Sequence, residues 1–281
     1  MAEVFPLKGP LGARIEGLER GRANEPTLAA LLNRALAEHL LVVIPGERMA
    51  PAATRSFARA FGKPQLLRYK RSGEVPEVSI MVSTLKTDGT TDKTALRAED
   101  WHTDDSYFAT PAKATLLHGM EIPSRGGATW FCNMHSVYEA LTETLRRRID
   151  GLRAIHGYDT PRARNRPAPR TPQEIGETPD VEHPLVRTHP ETGRKALYLN
   201  PNRQDRIVGL ERAASDALLH ELGAEARQPQ HHFGHVWPAD SKPVARLVPA
   251  QGRRPRRSAA SRSATTRRFG SRYRQISTSR P

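Results

Sequence analysis

Short apolar segments that resemble β-strands alternate irregularly with a few helical segments, and this pattern limits the folds open to the chain. The strand candidates are LLVVIP (40–45), EVSIMVS (77–83), ATLLHGMEIP (114–123) and GATWFCNM (127–134), bounded by turn-forming residues. A polar, turn-rich loop is predicted at 86–94. Because no regular alternation of strand, helix and parallel strand is present, the pattern predicts an α+β fold or a β-sandwich with added helices.

Apolar residues at helical spacing predict helices over residues 25–40, 50–64 and 211–226. A further helix is predicted to begin after Ser136 as its N-cap and to run to about residue 152. Residues 161–184 are rich in proline and charge, so they predict a long loop.

Basic residues are concentrated at the C-terminal end of the chain. The formal net charge is +14 over 281 residues. Residues 238–281 contain twelve Lys and Arg and one acidic residue, whereas residues 1–237 contain 32 basic and 29 acidic residues. We therefore predict one C-terminally incomplete domain over 1–237 and a basic, disordered tail rich in Arg, Pro, Ser and Ala over 238–281.

Several features point to a protein of the cytoplasm. The sequence has no run of 18 apolar residues, so no membrane span is expected. The N-terminal residues lack the basic start and apolar core of a signal peptide. Cys132 is the single cysteine, which excludes an internal disulfide and fits a reducing compartment.

Two His-x-acid motifs are candidates for metal binding, and their surroundings distinguish them. If the segment from His102 to Asp104 is extended, both side chains project from the same face and can reach one metal ion. Two histidines and one carboxylate bind Fe(II) and leave positions open for co-substrate and oxygen. His189 and Glu191 lie at the tip of a hairpin predicted at 183–201 around the turn PETG (190–193), so they are expected in solvent.

Several ordered segments resemble one enzyme family. They are WHTDDSYFATP (101–111), the Gly-Gly-x-Thr segment ending at Thr129, the Tyr-x-x-Leu helix that follows, and HPLVRTHPETGRKALYLN (183–200). Their order and spacing resemble the taurine dioxygenase/chlorophenoxyacetate dioxygenase (TauD/TfdA) family of Fe(II)- and 2-oxoglutarate-dependent dioxygenases, from about residue 5 to Trp237. The resemblance implies a double-stranded β-helix (a jelly roll, cupin-like) core with flanking helices.

The resemblance also implies a reaction and a set of site residues. The reaction is hydroxylation of a small organic acid, a sulfonate or carboxylate, with decarboxylation of 2-oxoglutarate to succinate. His102 and Asp104 match the first two iron ligands, and Thr129 matches the threonine that contacts 2-oxoglutarate. Trp101 and Tyr107 would line the substrate pocket, although core packing explains them equally well. No catalytic residue is expected beyond the metal site.

The family pattern is incomplete at its C-terminal end. The family has a third ligand histidine and, about ten residues later, an arginine that binds the far carboxylate of 2-oxoglutarate. The segment RQPQHHFGHVW (227–237) resembles the strand that precedes them, but no histidine follows His235, which matches a family position that is not a ligand. With two of three ligands, we expect this chain to turn over little substrate.

Two explanations of the basic tail remain open at the level of the sequence. It is either a functional arm that binds nucleic acid or an acidic partner, or the product of a reading-frame change in a GC-rich gene. The abrupt break after Trp237 favours the frame change, which would remove a strand or two and expose a sheet edge.

Three functional hypotheses follow. The main one is a dioxygenase whose partners are a small-molecule substrate and O2, with neither nucleic acid nor membrane, and with homo-oligomer formation left open. A second is an intact oxygenase that uses an upstream histidine or a tail arginine. A third is a non-catalytic oxygenase scaffold with a basic arm.

Overall fold

The computed structural model describes most of the chain. Main chain and side chains are described for residues 1–46, 48–66, 75–79, 101–122, 128–162 and 171–237, and the main chain alone for 80–83, 245–249, 253–254 and 271–279. The loop predicted at 86–94 lies outside these residues. Within them, no helix combines the length and the apolar character needed to cross a membrane.

The described residues form six α-helices and sixteen β-strands. The helices are Pro26–His39 (α1), Pro51–Ala58 (α2), Met134–Ala140 (α3), Glu143–Ile149 (α4), Pro172–Glu177 (α5) and Arg212–Ala226 (α6). The strands are Glu3–Pro6 (β1), Ala13–Glu16 (β2), Val42–Ile44 (β3), Lys63–Pro64 (β4), Ser79–Ser83 (β5), Ala114–Glu121 (β6), Thr129–Cys132 (β7), Arg153–His156 (β8), Val181–Pro184 (β9), Val186–Thr188 (β10), Lys195–Leu197 (β11), Gln204–Ile207 (β12), His232–His235 (β13), Ala245–Pro249 (β14), Arg253–Arg254 (β15) and Ser271–Ser279 (β16).

The strands form one large sheet and three small ones. The large sheet has the order β1-β2-β3-β14-β6-β16-β4, with β5 also paired to β16, and its pairs are antiparallel except for β2 and β3. The small sheets are β13-β7-β15, β12-β8-β9 and β10-β11, and all of their pairs are antiparallel. Mixed helices and largely antiparallel sheets confirm the α+β class.

The large sheet buries a different apolar cluster on each face. Val42 and Leu116 pack against helices α1 and α2 on one face. Their neighbours Val43 and Leu117 pack on the other face with Phe131 of β7. Strand side chains alternate between faces, so the continuous apolar runs of β3 and β6 fit strands that are covered on both sides. The second face, toward β7, is the one that carries the candidate site.

Helix α1 covers the first of these faces. Leu32, Ala35 and Leu36 are buried at i, i+3 and i+4, the spacing of one helical stripe. Pro26 occupies the first turn, where its missing N–H is not needed. The helix ends where Leu40 adopts a left-handed φ of 65°. These bounds match the helix predicted at 25–40.

The helix predicted after Ser136 is instead two shorter helices. The side chain of Asn133 accepts hydrogen bonds from the main-chain N–H groups of His135 and Ser136, so α3 begins before the predicted cap. Leu141 is extended, and the hydroxyl of Thr142 accepts a hydrogen bond from the N–H of residue 145 to start α4. Two local caps thus outweigh one long amphipathic stripe.

The long loop predicted at 161–184 contains regular structure at its C-terminal end. The hydroxyl of Thr171 accepts from the N–H of Glu174, and the Glu174 carboxylate accepts from the N–H of Thr171, which forms a capping box for α5. The strand β9 then pairs with β8. Residues 163–170 lie outside the described part of the chain.

Three segments of the predicted disordered tail are paired strands. β14 lies between β3 and β6, β16 pairs with the opposite edge of β6, and β15 pairs with β7. Main-chain N–H and C=O groups pair largely independently of the side chains they carry, which explains how a basic segment can occupy these positions. The structure therefore differs here from the exposed sheet edge expected after loss of the family's C-terminal strands.

Candidate metal and co-substrate site

The side chains of His102 and Asp104 converge. The Nε2 atom of His102 lies 3.3 Å from Oδ1 of Asp104, and the two side chains are 18% and 16% exposed. Two ligand atoms that each lie about 2.1 Å from one metal ion, at an angle near 100°, are roughly 3.2 Å apart. The spacing of the pair is compatible with two ligands of one cation, and metal binding by His102 and Asp104 stays a prediction.

The pair lies in an irregular segment that leads into a turn, and not in a β-strand. Asp105 has a φ of 59°, the left-handed conformation that aspartate tolerates better than most residues. The fully buried Asn200 secures this turn, since its Nδ2 donates to the carbonyl of Thr103 at 2.8 Å and to the hydroxyl of Ser106 at 2.7 Å. Asn200 thereby fixes the main chain on both sides of Asp104.

A second contact orients the carboxylate itself. The hydroxyl of Thr115, which is 1% exposed, donates to Oδ2 of Asp104 at 2.9 Å. Oδ1 is then left facing His102. Thr115 lies on the same face of β6 as Leu117, the face that packs toward β7. The side chains of His102 and Asp104 therefore lie between the large sheet and the β7 sheet. Contacts of this kind orient metal ligands and raise metal affinity.

Thr129 is the first residue of β7, opposite His235 of β13. Its hydroxyl oxygen accepts a hydrogen bond from Nε1 of the buried Trp237 at 2.9 Å. A hydroxyl that accepts one bond still has its own hydrogen to donate. The arrangement is thus suited to bind a carboxylate oxygen.

The segment that carries His102 and Asp104 runs beside the sheet that carries Thr129. The ring of Trp101 lies 4.6 Å from the ring of His232, measured between centroids. His232 is opposite Cys132 in β7, three residues from Thr129. At about 3.3 Å per residue, Thr129 is roughly 10 Å along the strand from that contact.

The two predicted pocket residues take part in packed clusters. Trp101 is half-buried against the apolar cluster between α3 and α6. Tyr107 contacts Phe108 and Tyr158 at centroid distances of 4.5 and 5.1 Å, and the guanidinium of Arg203 lies 4.6 Å above the Tyr158 ring. Lining of a substrate pocket by Trp101 and Tyr107 stays a prediction.

The histidines just upstream of the tail have other partners. His231 contacts the hydroxyl of Ser136 through Nδ1 at 2.8 Å and the carboxylate of Glu225 through Nε2 at 3.2 Å. His232 contacts the carbonyl of Ala226 through Nε2 at 2.8 Å. In the described part of the chain, no group of three or more His, Cys, Asp or Glu side chains is placed to hold a metal ion. The structure thus brings together His102 and Asp104, the two candidate ligands, and no third candidate is placed with them among the described residues.

The second His-x-acid motif lies at the turn between β10 and β11, as predicted. Nδ1 of His189 accepts from the N–H groups of Glu191 and Thr192 at 3.2 and 3.3 Å, so His189 stabilises the turn. Glu191 is less solvated than expected, because its carboxylate pairs with the ammonium of Lys113 at 2.8 Å. The motif is a structural element of the hairpin.

A histidine and a carboxylate at this spacing are two of the three side chains with which non-haem iron oxygenases hold Fe(II). The comparison with known families agrees. The family model "Taurine catabolism dioxygenase TauD, TfdA family" matches residues 3–241, and the chain belongs to that family. Its members are Fe(II)- and 2-oxoglutarate-dependent dioxygenases, which confirms the predicted enzyme class and cofactors.

Individual relatives support the assignment. The chain is 30% identical over 248 residues to the (S)-phenoxypropionate/alpha-ketoglutarate-dioxygenase of Sphingobium herbicidovorans, with 85% of this chain and 84% of the relative covered. It is 28% identical over 243 residues to the alpha-ketoglutarate-dependent 2,4-dichlorophenoxyacetate dioxygenase of Cupriavidus pinatubonensis, with 83% and 84% covered. The crystal structure of a putative alpha-ketoglutarate-dependent taurine dioxygenase from Burkholderia xenovorans superposes with a TM-score of 0.78 at 27% identity, covering 100% of this chain and 90% of that one.

The sequence analysis did not predict two residues at the candidate site, Thr115 and Asn200. Thr115 lies inside an apolar strand, where a lone threonine reads as a good strand former. Asn200 follows β11 in the run LNPN, where asparagine reads as a turn former. Neither residue has a local signal that connects it to Asp104, because both contacts are made across the fold.

Proposed function

We propose that the chain is a 2-oxoglutarate-dependent dioxygenase that hydroxylates a small organic acid and whose activity is limited by an incomplete ligand set. The observation that carries the proposal is the 3.3 Å approach of His102 Nε2 to Asp104 Oδ1, inside a chain that matches the family model over residues 3–241. When bound, Fe(II) with 2-oxoglutarate supplies the oxidising chemistry that yields succinate and a hydroxylated substrate.

The chain's own residues would hold the iron in a fixed place. His102 and Asp104 are the proposed ligands, Thr115 orients Asp104 through Oδ2, and Asn200 holds the turn. Their positions are set before the metal arrives, because Thr115 and Asn200 are buried and already bonded. Such preorganisation lowers the cost of ordering the ligands on binding.

Thr129 is the proposed contact for 2-oxoglutarate. Its oxygen accepts from the Trp237 indole N–H, so its hydrogen is directed away from Trp237 and is available to a carboxylate. The buried Trp237 contacts Thr129, which is itself half-buried. A hydrogen bond to a carboxylate is stronger in such a protected place than in water.

The proposed core is a double-stranded β-helix. Its two walls would be the large sheet and the β13-β7-β15 sheet. The apolar cluster of Val43, Leu117, Phe131 and Trp237, shared by the two sheets, supports this arrangement. The proposed domain ends at residue 237, close to residue 241 where the family match ends, and the basic tail follows.

The proposed substrate is a small carboxylate or sulfonate. The two curated relatives above are named for aryloxy acids, phenoxypropionate and 2,4-dichlorophenoxyacetate, and the solved structure is named for taurine, a sulfonate. A small organic anion is the chemistry that these names share. None of the three is named as a nucleic-acid-binding protein, and the scaffold hypothesis receives no support from them.

The substrate class is tested by succinate release. The protein for this test, the completed chain, carries a family-type C-terminal segment in place of 238–281: an apolar strand, Trp-Asp-Asn-Arg with the ligand histidine, and the arginine about ten residues later. With Fe(II) and 2-oxoglutarate, phenoxypropionate, 2,4-dichlorophenoxyacetate and taurine are compared with their uncharged amide or alcohol analogues. We expect succinate release to be greater with the acids than with the analogues.

The control is Asp104→Ala in the completed chain. It removes one proposed ligand, so succinate release should fall at least about a hundredfold. Release that is independent of Fe(II), or that survives Asp104→Ala, would overturn the proposed site. Release with the uncharged analogues alone would overturn the proposed substrate class and leave the site intact.

A further inference from the structure

A second pocket lies between α1 and the β10–β11 hairpin. Its cavity volume is about 90 Å³. Its walls come from α1 at Asn33, from the segment that ends at Lys113, and from the hairpin at Arg187 and Tyr198. His135 of α3 lines it as well. Neither His102 nor Asp104 is among its lining residues.

His135, which lines this pocket, carries a buried hydrogen-bond acceptor that has no partner in the described part of the chain. The side chain is 1% exposed, and its Nδ1 lies 2.8 Å from the carbonyl of Lys195. Burial lowers the pKa of His135, so the ring is neutral at pH 7. Because a carbonyl only accepts, the proton is on Nδ1 and Nε2 carries a lone pair. In the described part of the chain, Nε2 has no hydrogen-bond partner.

The opposite wall of the pocket carries a cation. The guanidinium of Arg187 lies 4.6 Å from the centroid of the Tyr198 ring, and it forms no ion pair with a described carboxylate. Lys113 also lines the pocket, but its ammonium is bonded to Glu191 at 2.8 Å and to Asn33 at 2.8 Å. The charges of Lys113 and Glu191 cancel, so Arg187 leaves the pocket with a net positive charge. Such a pocket favours an anion.

We propose that this pocket binds a small carboxylate that also bears a hydroxyl or ammonium group. The carboxylate would pair with Arg187, and the O–H or N–H of the ligand would donate to Nε2 of His135. A buried acceptor without a donor costs free energy, so the ligand's donor group would satisfy an atom that the described fold leaves unsatisfied. The pocket shares no lining residue with the proposed iron site, and the proposal does not require bound iron.

The test is a titration of the full chain, without iron or 2-oxoglutarate, by isothermal calorimetry. Glycolate and acetate are the probes, since they differ by one hydroxyl group. We expect glycolate to bind about tenfold more tightly than acetate, the value of one buried hydrogen bond of roughly 1.4 kcal/mol. His102→Ala should not change either affinity, which separates this pocket from the iron site.

Two variants test which side chain binds each group of the ligand. His135→Phe should reduce the preference for glycolate to about onefold, and Arg187→Gln should weaken both acids. Arg148→Gln is the matched control, because Arg148 pairs with Glu221 on the surface and does not line the pocket. It should bind both acids as the unaltered chain does.

If His135→Phe does not fold, a measurement on the unaltered chain tests the same contact with Nε2 of His135. In the unaltered chain labelled with ¹⁵N-histidine, glycolate should shift the Nε2 resonance of His135 and acetate should not. Equal affinities for glycolate and acetate, a preference that survives His135→Phe, or no saturable binding of either acid would overturn the proposal. In the last case the pocket holds water only.

Discussion

His156 shows how one buried residue makes stability depend on pH. It is fully buried, its ring is stacked 5.4 Å from that of Tyr198, and neither ring nitrogen has a hydrogen-bond partner in the described part of the chain. Burial, together with the charges of His183 and Arg187, lowers the pKa of His156 to about 3. The unfolded chain binds this proton near pH 6.5.

Acid should therefore unfold the protein. Because the folded-state pKa of His156 is depressed, its contribution to stability is complete above about pH 6.5 and is lost as the pH falls toward 3. From pH 7 to pH 5, His156 alone should lower the free energy of unfolding by roughly 2 kcal/mol. Denaturant titrations at both pH values measure this loss.

His156→Phe keeps a ring in the same space and removes the titrating group. The difference in the free energy of unfolding between pH 7 and pH 5 should then shrink by about 2 kcal/mol. His220→Phe changes an exposed histidine and is the control, with no such reduction expected. An unchanged pH dependence in His156→Phe would show that His156 is not the group responsible.

The two His-x-acid motifs should respond differently to substitution. His102→Ala removes a proposed ligand, so the remaining affinity for Fe(II) should fall by at least about tenfold. His189→Ala removes a turn contact, so Fe(II) affinity should not change while the hairpin is destabilised by about 1 kcal/mol. Titration of both variants with Fe(II) measures these affinities. Loss of Fe(II) affinity in His189→Ala would reverse the assignment of the two motifs.

At the scale of elements, the sequence predicted what local patterns control. The helices at 25–40 and 211–226 and the hairpin at 183–201 are confirmed, because apolar spacing and Pro or Gly at the ends act within one segment. The division between α3 and α4 was missed because the caps at Asn133 and Thr142 compete with a continuous apolar stripe. Periodicity alone does not weigh that competition.

The candidate site residues also differ in whether a local sequence pattern identifies them. His102 and Asp104 were predictable because the pair is adjacent in sequence and surrounded by a recognisable motif. Asn200 and Thr115 were not, because Asn200 is 97 positions from Thr103 and Thr115 contacts Asp104 from a different element. Contacts across the fold depend on the packing of whole elements, which the sequence pattern does not specify.

Asn200 should control the turn that carries Asp104. Asn200→Asp keeps the shape but removes the Nδ2 donor, so the bond to the carbonyl of Thr103 is lost and a carboxylate is buried. We expect faster hydrogen exchange at residues 103–106, about tenfold weaker Fe(II) binding, and a loss of at least 1–3 kcal/mol of stability. Asn202→Ala, at a residue that contacts Thr160 through its main-chain carbonyl, is the control. Unaltered exchange and Fe(II) affinity in Asn200→Asp would mean that the turn is held by other contacts.

At the scale of the whole molecule, the family scaffold and the C-terminal segment are in conflict. The scaffold over 3–241 brings His102 and Asp104, the two proposed ligands, to 3.3 Å from each other and carries Thr129, the proposed co-substrate contact. The tail supplies strands β14 and β16 on both sides of β6, but no histidine. Strand pairing needs only a main chain, whereas a metal ligand needs one particular side chain. A tail can therefore complete a sheet without completing a site.

This conflict predicts the behaviour of the unaltered chain. With two ligands of three it should bind Fe(II) weakly, since affinity depends on the number of ligands as well as on their geometry. Without the family arginine, the far carboxylate of 2-oxoglutarate also lacks its charge-assisted bidentate partner. Arg268, Arg272 and Arg274 belong to the tail, but nothing in their spacing fixes them near Thr129.

We expect little or no Fe(II)- and 2-oxoglutarate-dependent succinate formation by this chain, and ready turnover by the completed chain. His102→Ala in the completed chain should abolish the difference between the two. Comparable turnover by the unaltered chain would show that its own tail provides the missing ligand and the missing cation.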